Sequence, residues 1–139
     1  LPDNLPDLPI IVMNGDLLTK VDFINLLDFH YDHDSEATMC VREYAFQVPY
    51  GVVQIDNYNI KEIKEKPVHK FFVNAGIYVL NKTLINKLDG KSYLDMTDLL
   101  DKELINEKVN AFPIHEYWLD IGKIEEYERA NREVFTEFN

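Results

Sequence analysis

Two aspartates directly follow short apolar stretches and directly precede turns, a position in which carboxylates can hold a metal ion. Asp16 follows the run 10–13 through Asn14-Gly15, and Asp120 lies in Trp118-Leu119-Asp120-Ile121-Gly122. Open α/β sheets bind ligands at the carboxyl ends of their strands. Because Mg²⁺ takes one or two carboxylates together with phosphate oxygens and water, the pair predicts one Mg²⁺ that Asp16 and Asp120 share on a substrate phosphate. For either aspartate alone, capping of a following helix or turn is the competing interpretation.

A lysine stands before a proline in Glu65-Lys66-Pro67. The proline predicts an extended backbone at Lys66, which would project the ammonium group as a point charge for a phosphate. Glu65 would then face the opposite side, unless the strand bends before the proline. Neighbouring charged residues at 61, 62 and 64 make a solvated strand edge the competing interpretation.

Small residues interrupt an apolar strand in Val73-Asn74-Ala75-Gly76-Ile77-Tyr78. A glycine inside a strand often marks the close approach of a ligand or of another backbone. Tight packing against a helix is the alternative.

The segment from His30 to Asp34 has the composition of a metal site, with two histidines and two aspartates. It falls where a predicted helix ends in a polar loop, which favours a solvated helix terminus. Cys40 lies in a predicted strand and is expected to be a small core residue.

The elements that must position these residues indicate an α/β domain: a mixed sheet flanked by helices, with an inserted β-hairpin. The apolar run Ile10–Met13 is typical of a strand buried on both faces, and a helix should follow with Thr19 as its N-cap and Asp22 in its first turn. Further strands are predicted over 37–48, 51–56, 60–66, 72–80, 109–114 and 117–119. Further helices are predicted over 81–88 with Gly90 after it, from Asp95 to about Leu104, and after Gly122 with Ile124, Tyr127, Val134 and Phe138 on the buried face.

Composition excludes several classes of protein. The 139 residues carry 14 basic and 25 acidic side chains, a net charge of −11, which argues against a nucleic-acid partner. No apolar run approaches the ~20 residues of a membrane span, and no signal peptide is recognisable. A single cysteine excludes an internal disulfide. Residues 1–9, with three prolines, are expected to be an extended connector that begins within a longer protein, and residues 10–139 the folded part.

Five motifs, taken in order from Ile10 to Asn131, resemble those of the sugar nucleotidyltransferases, the sugar-1-phosphate nucleotidylyltransferases or NDP-sugar pyrophosphorylases. The motifs are Val12–Asp16, Tyr50-Gly51-Val52-Val53, Glu65-Lys66-Pro67, Val73–Tyr78 and Trp118–Gly122. The resemblance implies that Asp16 and Asp120 bind Mg²⁺ across the phosphates of both substrates. It implies sugar-side roles for six others: the Gly51 backbone and Glu65 on the sugar, Lys66 on its phosphate, and Asn74, Gly76 and Trp118 at the pocket.

The family's opening signature, which resembles G-x-G-T-R-L-x-P-L-T, is not found, because no two of the five glycines are spaced as G-x-G. We therefore expect the carboxyl-terminal, sugar-binding portion of a Rossmann-like nucleotidyltransferase domain without its first βαβ portion, inactive alone. The implied partners are a sugar-1-phosphate and a nucleoside triphosphate, with neither nucleic acid nor membrane. The implied setting is the cytoplasm, in the supply of activated sugars for polysaccharides. An exposed sheet edge predicts a homo-oligomer or contact with the rest of the domain.

Two other functions fit parts of the sequence. One is a non-catalytic module of the same fold that senses sugar nucleotides. The other is a metal-dependent glycosyltransferase, which would carry a D-x-D pair near the first carboxylate. Leu17-Leu18 follow Asp16 instead, and Asp32-His33-Asp34 has the spacing but follows a predicted helix.

Overall fold

The computed structural model of the chain describes residues 6–88, 93, 95–103 and 108–138. Gly90 and Leu104, which the sequence places at helix ends, lie outside the described residues. The described strands are β1 Ile10–Met13, β2 Leu17–Thr19, β3 Ala37–Gln47, β4 Val52–Asp56, β5 Asn59–Lys64, β6 Val68–Leu80, β7 Val109–Pro113 and β8 Trp118–Asp120. The described helices are α1 Phe23–Asp32, α2 Lys82–Ile85, α3 Met96–Glu103 and α4 Ile124–Glu137.

The principal sheet has four strands in the order β1-β6-β3-β7. β1 runs antiparallel to β6, whereas β3 and β7 are parallel, so the sheet is mixed as predicted. β2 and β8 form a separate antiparallel pair. The chain divides into two compact units, the first up to Val41 and from Asn74 onward, the second Arg42–Val73.

The core of the first unit lies on both faces of β6. Ala75, Ile77 and Val79 belong to a cluster with Leu26 of α1, and the alternate residues of the strand join a second cluster with α2 and α3. The prediction that Ile10–Met13 is buried on both faces is wrong. β1 is an edge strand, and its Ile11 and Met13 are 37% and 44% exposed. An apolar run does not distinguish an edge strand from a central one.

The N-cap of helix α1 lies three residues later than predicted. Asp22 is the N-cap, and its carboxylate accepts hydrogen bonds from the backbone N–H groups of Ile24 at 2.9 Å and Asn25 at 3.1 Å. Thr19 ends β2 instead, where its hydroxyl donates to the carbonyl of Tyr117 at 3.0 Å. The prediction of Thr19 as N-cap is wrong because it overlooked the short strand between the turn and the helix.

His30 and Cys40 are both core residues. The sequence placed His30 at a solvated helix end, yet it is buried, with Nδ1 2.8 Å from the Thr38 hydroxyl and Nε2 3.0 Å from the Asn81 amide oxygen. Cys40 is buried as predicted, and desolvation, followed by the charge of Glu116, raises its thiol pKa to about 12. Neither side chain is presented for chemistry.

The second unit contains the predicted hairpin. β4 and β5 pair antiparallel from Val52 opposite Lys64 to Asp56 opposite Asn59, with an irregularity between Gln54 and Ile55. Asn57 takes a left-handed φ of 53° in the turn, a conformation that asparagine tolerates better than most residues.

Helix α4 buries only part of the face that was predicted. Ile124 and Tyr127 are 77% and 57% exposed, and Ala130 is the buried residue. A polar contact joins α4 to the segment before β8: the Tyr117 hydroxyl donates a hydrogen bond to the Glu133 carboxylate at 2.6 Å. The prediction is therefore wrong for Ile124 and Tyr127, whereas Val134 is half-buried one turn after Ala130 and the Phe138 ring packs edge-on against Tyr117. Within the described part of the chain, no helix is both long and apolar enough to cross a membrane.

Candidate active site

The β2–β8 ladder brings Asp16 and Asp120 together. Leu17 lies directly opposite Asp120, and the backbone N–H of Ile121 donates to the carbonyl of Asp16 at 2.9 Å. The two aspartates thus occupy neighbouring positions on adjacent segments, although they lie 104 positions apart in the sequence. Both residues are exposed.

Their carboxylates interact electrostatically. The pKa of Asp120 is raised, first by desolvation, then by the negative charge of Asp16 and then by that of Glu126. Since each neighbouring charge disfavours ionisation of Asp120, a cation at this place would relieve a repulsion that the fold imposes.

Glu126 is the acidic neighbour that the sequence analysis missed. A Cβ atom placed on Gly122 would lie 3.8 Å from Glu126 Oε2 and 4.0 Å from Asp120 Oδ1, so both carboxylates border the same glycine. The sequence did contain a sign of this neighbour. The helix after Asp120 has acidic residues in its first turn, and side chains of that turn lie near the strand end that carries Asp120.

The backbone of β6 is irregular at its small residues. Gly76 has a φ of 71°, and the amide oxygen of Asn74 accepts its N–H at 2.9 Å. The Asn74 side-chain nitrogen donates to the Tyr78 hydroxyl at 2.6 Å. The predicted close approach at Gly76 is to the side chains of Asn14 and Leu17, rather than to a helix.

Trp118 joins the ladder to the core. It lies opposite Thr19 in the β2–β8 pair, and its indole Nε1–H donates to the carbonyl of Ala75 at 2.8 Å. The ring is partly buried against the core cluster that contains Ala75. Asp16, Asp120, Asn74, Gly76 and Trp118 therefore all belong to the first unit.

The other predicted residues, Gly51, Glu65 and Lys66, belong to the second unit. A Cβ atom on Gly51 would lie 3.2 Å from Glu65 Oε2, so these two are in contact. The predicted extended backbone at Lys66 is wrong: its φ is 46°, and its carbonyl accepts a hydrogen bond from the Gln47 side chain at 3.3 Å. β5 ends at Lys64 and the chain bends before Pro67. Glu65 therefore lies outside the strand, and the alternation of side chains between the two faces of a strand does not set its direction.

The donor set at Asp16 and Asp120 fits a hard divalent cation such as Mg²⁺, which prefers carboxylate oxygens and retains several waters. Among the described residues, no group of three or more histidine, cysteine, aspartate or glutamate side chains could by itself hold a metal ion. Two carboxylates leave most of an octahedral shell for substrate phosphates and water.

Comparisons with known proteins show the family to which the chain belongs. The nucleotidyl transferase family model matches residues 2–137, so the chain belongs to that family. A Sulfolobus acidocaldarius protein, provisionally named a mannose-1-phosphate guanyltransferase, is 38% identical over 136 residues, 96% of this chain and 37% of the relative. The glucose-1-phosphate adenylyltransferase of Clostridium perfringens is 28% identical over 90% of this chain and 35% of its own.

A solved structure shows the same fold. It is a Bacillus anthracis protein, provisionally named a glucose-1-phosphate thymidylyltransferase and crystallised with sucrose. The alignment has a TM-score of 0.63 at 21% identity and covers 91% of this chain and 54% of the other. The chain spans little more than a third of the curated relatives that it matches.

Proposed function

We propose that the complete protein containing this chain transfers a nucleotidyl group from a nucleoside triphosphate to a sugar-1-phosphate, releasing pyrophosphate. The observation that carries the proposal is the adjacency of Asp16 and Asp120 across the β2–β8 ladder in a chain of the nucleotidyl transferase family. The names of the relatives, a mannose-1-phosphate guanyltransferase and a glucose-1-phosphate adenylyltransferase, support sugar-1-phosphates as the acceptor class.

The reaction is an in-line displacement at phosphorus. A phosphate oxygen of the sugar-1-phosphate forms a bond to the α-phosphorus of the triphosphate, while the bond from that phosphorus to the bridging oxygen of pyrophosphate breaks. The electron pair leaves on pyrophosphate. Because the nucleophile is already an anion, the step needs no general base and depends on positioning and charge neutralisation.

Asp16 and Asp120 would hold Mg²⁺, consistent with the general use of a divalent metal in this family. When bound, the cation supplies positive charge that offsets the repulsion between the two substrates' phosphates. The carboxylates serve this role best when both are ionised, and desolvation and the charge of Asp16 disfavour the ionised form of Asp120 in the absence of a cation by raising its pKa.

On the sugar side, we assign the sugar-1-phosphate phosphate to the Lys66 ammonium group and the sugar hydroxyls to Glu65. The Gly51 backbone would approach the sugar closely, which the contact between Gly51 and the Glu65 carboxylate supports. Asn74, Gly76 and Trp118 would form the pocket wall. The Asn74 amide already bonds within β6 at both its oxygen and its nitrogen, so its contribution would be to hold the strand's shape.

We further propose that residues 10–139 are the sugar- and metal-binding portion of the catalytic domain and that residues 1–9 connect it to the nucleotide-binding portion. The chain alone would then be inactive. The reaction would take place in the cytoplasm, where nucleoside triphosphates are available.

The test is release of pyrophosphate by the full-length protein from mannose-1-phosphate or glucose-1-phosphate with each common nucleoside triphosphate. We expect turnover that requires Mg²⁺, and a roughly 100-fold or greater loss of kcat in Asp16→Asn and Asp120→Asn. Asp28→Asn, an exposed carboxylate on α1, is the matched control. Ligand binding without turnover would favour the sensing module instead.

A further inference from the structure

We infer that Asn14 is a positioning residue for Asp16, and that Gly76 exists to receive its side chain; this inference rests on the metal-binding role proposed for Asp16. Asn14 stands two residues before Asp16 and is exposed to solvent. Nothing in the proposed chemistry requires an amide at this place. Its close packing over Gly76 of β6 indicates a structural role instead.

The Asn14 side chain occupies the space where a side chain of residue 76 would be. A Cβ atom on Gly76 would lie 2.8 Å from Asn14 Nδ2, closer than real Cβ atoms approach other atoms, and 3.0 Å from Asn14 Cγ. The Asn14 backbone N–H also donates to the Gly76 carbonyl at 2.9 Å. Asn14 therefore bonds to Gly76 through its backbone and packs its side chain over the Gly76 α-carbon.

The same glycine also receives the residue on the other side of Asp16. A Cβ atom on Gly76 would lie 3.1 Å from Leu17 Cδ1. Leu17 in turn lies directly opposite Asp120 in the ladder. The residues on both sides of the Gly15-Asp16 turn therefore pack on Gly76, and one of them, Leu17, pairs with the second aspartate.

The turn has no comparable support at its tip. A Cβ atom on Gly15 would meet nothing within 4 Å. The position of Asp16 therefore depends on the two ends of the turn rather than on packing around it.

Two hydrogen bonds hold the peptide group that joins Ala75 to Gly76. The Asn74 side chain accepts the Gly76 N–H at 2.9 Å, and the Trp118 indole donates to the preceding carbonyl, that of Ala75, at 2.8 Å. The φ of 71° at Gly76 lies in the left-handed region, which glycine enters without a steric penalty. The backbone conformation and the nearby Asn14 amide therefore both disfavour a side chain at residue 76.

The experiment compares full-length wild type with Asn14→Ala and with the exposed α4 variant Asn131→Ala as the matched control. We would measure Mn²⁺ affinity by electron paramagnetic resonance without substrates, and separately kcat, the KM for sugar-1-phosphate and the Mg²⁺ concentration for half-maximal activity. Asn14→Ala should weaken Mn²⁺ binding and raise the Mg²⁺ requirement by roughly 10-fold or more, the size of effect that residues orienting metal ligands have. The KM for sugar-1-phosphate at saturating Mg²⁺ should change less than the Mg²⁺ requirement, because Glu65 and Lys66, which we assign to the sugar hydroxyls and the phosphate, belong to the other unit.

A second variant tests the contact between Gly76 and the Asn14 side chain. Gly76→Ala should weaken Mn²⁺ binding more than Asn14→Ala does, and adding Asn14→Ala to it should restore part of the loss, because the clashing amide is then gone. If Gly76→Ala fails to fold, the Asn14→Ala comparison still decides the matter.

Mn²⁺ affinity in Asn14→Ala within twofold of wild type would overturn the inference. If the wild-type protein shows no turnover with any sugar-1-phosphate, yet Asn14→Ala still weakens Mn²⁺ binding relative to Asn131→Ala, the proposed function fails and the positioning role stands.

Discussion

The indole Nε1–H of Trp118 donates a 2.8 Å hydrogen bond to the carbonyl oxygen of Ala75, and this bond ties the strand that carries Asp120 to the central strand of the sheet. β8 has only three residues and pairs with the equally short β2. Two strands of this length cannot by themselves hold a carboxylate in a fixed place. Trp118 therefore gives the β2–β8 ladder an anchor in the core.

Trp118→Phe should keep most of the ring packing and lose the hydrogen bond. The Ala75 carbonyl is then left without its indole donor, so we expect the free energy of unfolding to fall by about 1 kcal/mol. Urea denaturation of the full-length protein measures this, with the exposed Tyr127→Phe as the control. Mn²⁺ affinity should fall as well, because Asp120 lies two residues along the same strand. A variant as stable as wild type would show that the indole hydrogen bond contributes nothing.

Glu126→Gln should change the pH dependence of metal binding. The charge of Glu126 helps to raise the pKa of Asp120, and metal binding is lost as pH falls through that raised pKa. Removing the charge lowers the Asp120 pKa, so the acid limb of Mn²⁺ affinity should move to lower pH. At neutral pH the lost attraction should weaken Mn²⁺ binding by about fivefold or less, the effect of one nearby exposed charge.

Glu125→Gln is the matched control for that variant, because Glu125 lies in the same first turn of α4 and does not contribute to the Asp120 pKa shift. Equal shifts of the acid limb in the two variants would contradict a specific role for Glu126.

Stability should respond to pH through the contacts that dock α4. Hydrogen bonds from Arg129 and Tyr117 hold the pKa of Glu133 below its usual value. A carboxylate with a lowered folded-state pKa stabilises the fold above its unfolded-state pKa and loses that contribution as pH falls through the folded-state value. The difference in unfolding free energy between wild type and Glu133→Gln should therefore be largest near neutral pH and shrink below about pH 4.5, the ordinary value.

The loss of stability at alkaline pH depends on Tyr117. Desolvation and the hydrogen bond with the Glu133 carboxylate raise the pKa of Tyr117 to about 12. A raised folded-state pKa means that the contribution is complete below pH 10 and is lost as pH rises toward 12. Tyr117→Phe should remove this alkaline loss. A constant difference from wild type across both pH ranges would rule out these two groups as the cause.

The sequence predicted the fold best where the pattern itself carries the physical cause. The Asn57-Tyr58-Asn59 turn and the strands beside it were found because asparagine tolerates the left-handed turn conformation. The α/β class followed from strands alternating with helices. The sequence analysis missed the edge position of β1, because apolar residues indicate a preference for burial but do not indicate which strands lie beside them.

The candidate site shows the same division. Placing Asp16 and Asp120 at strand ends required only local patterns, whereas their adjacency depends on the three-residue pairing of β2 and β8, which is too short to give a recognisable pattern. The backbone of Lys66 was predicted wrongly because the proline rule disfavours the right-handed helical region and leaves a left-handed turn open. Glu126 was missed because it acts through a helix turn rather than through a motif.

Gly51→Ala should impair sugar binding selectively. The added Cβ would lie 3.2 Å from the Glu65 carboxylate oxygen, so Glu65 must shift by a few tenths of an ångström or accept a crowded contact. Because hydrogen bonds to sugar hydroxyls depend on position, we expect the KM for the sugar-1-phosphate to rise by roughly 10-fold. The KM for the nucleoside triphosphate is the internal control and should change little. Combining Gly51→Ala with Glu65→Gln should cost little beyond Glu65→Gln alone, since the carboxylate that alanine displaces is already lost. Equal increases in both KM values would place Gly51 outside the sugar side and remove the support that its contact with Glu65 gives to the proposal.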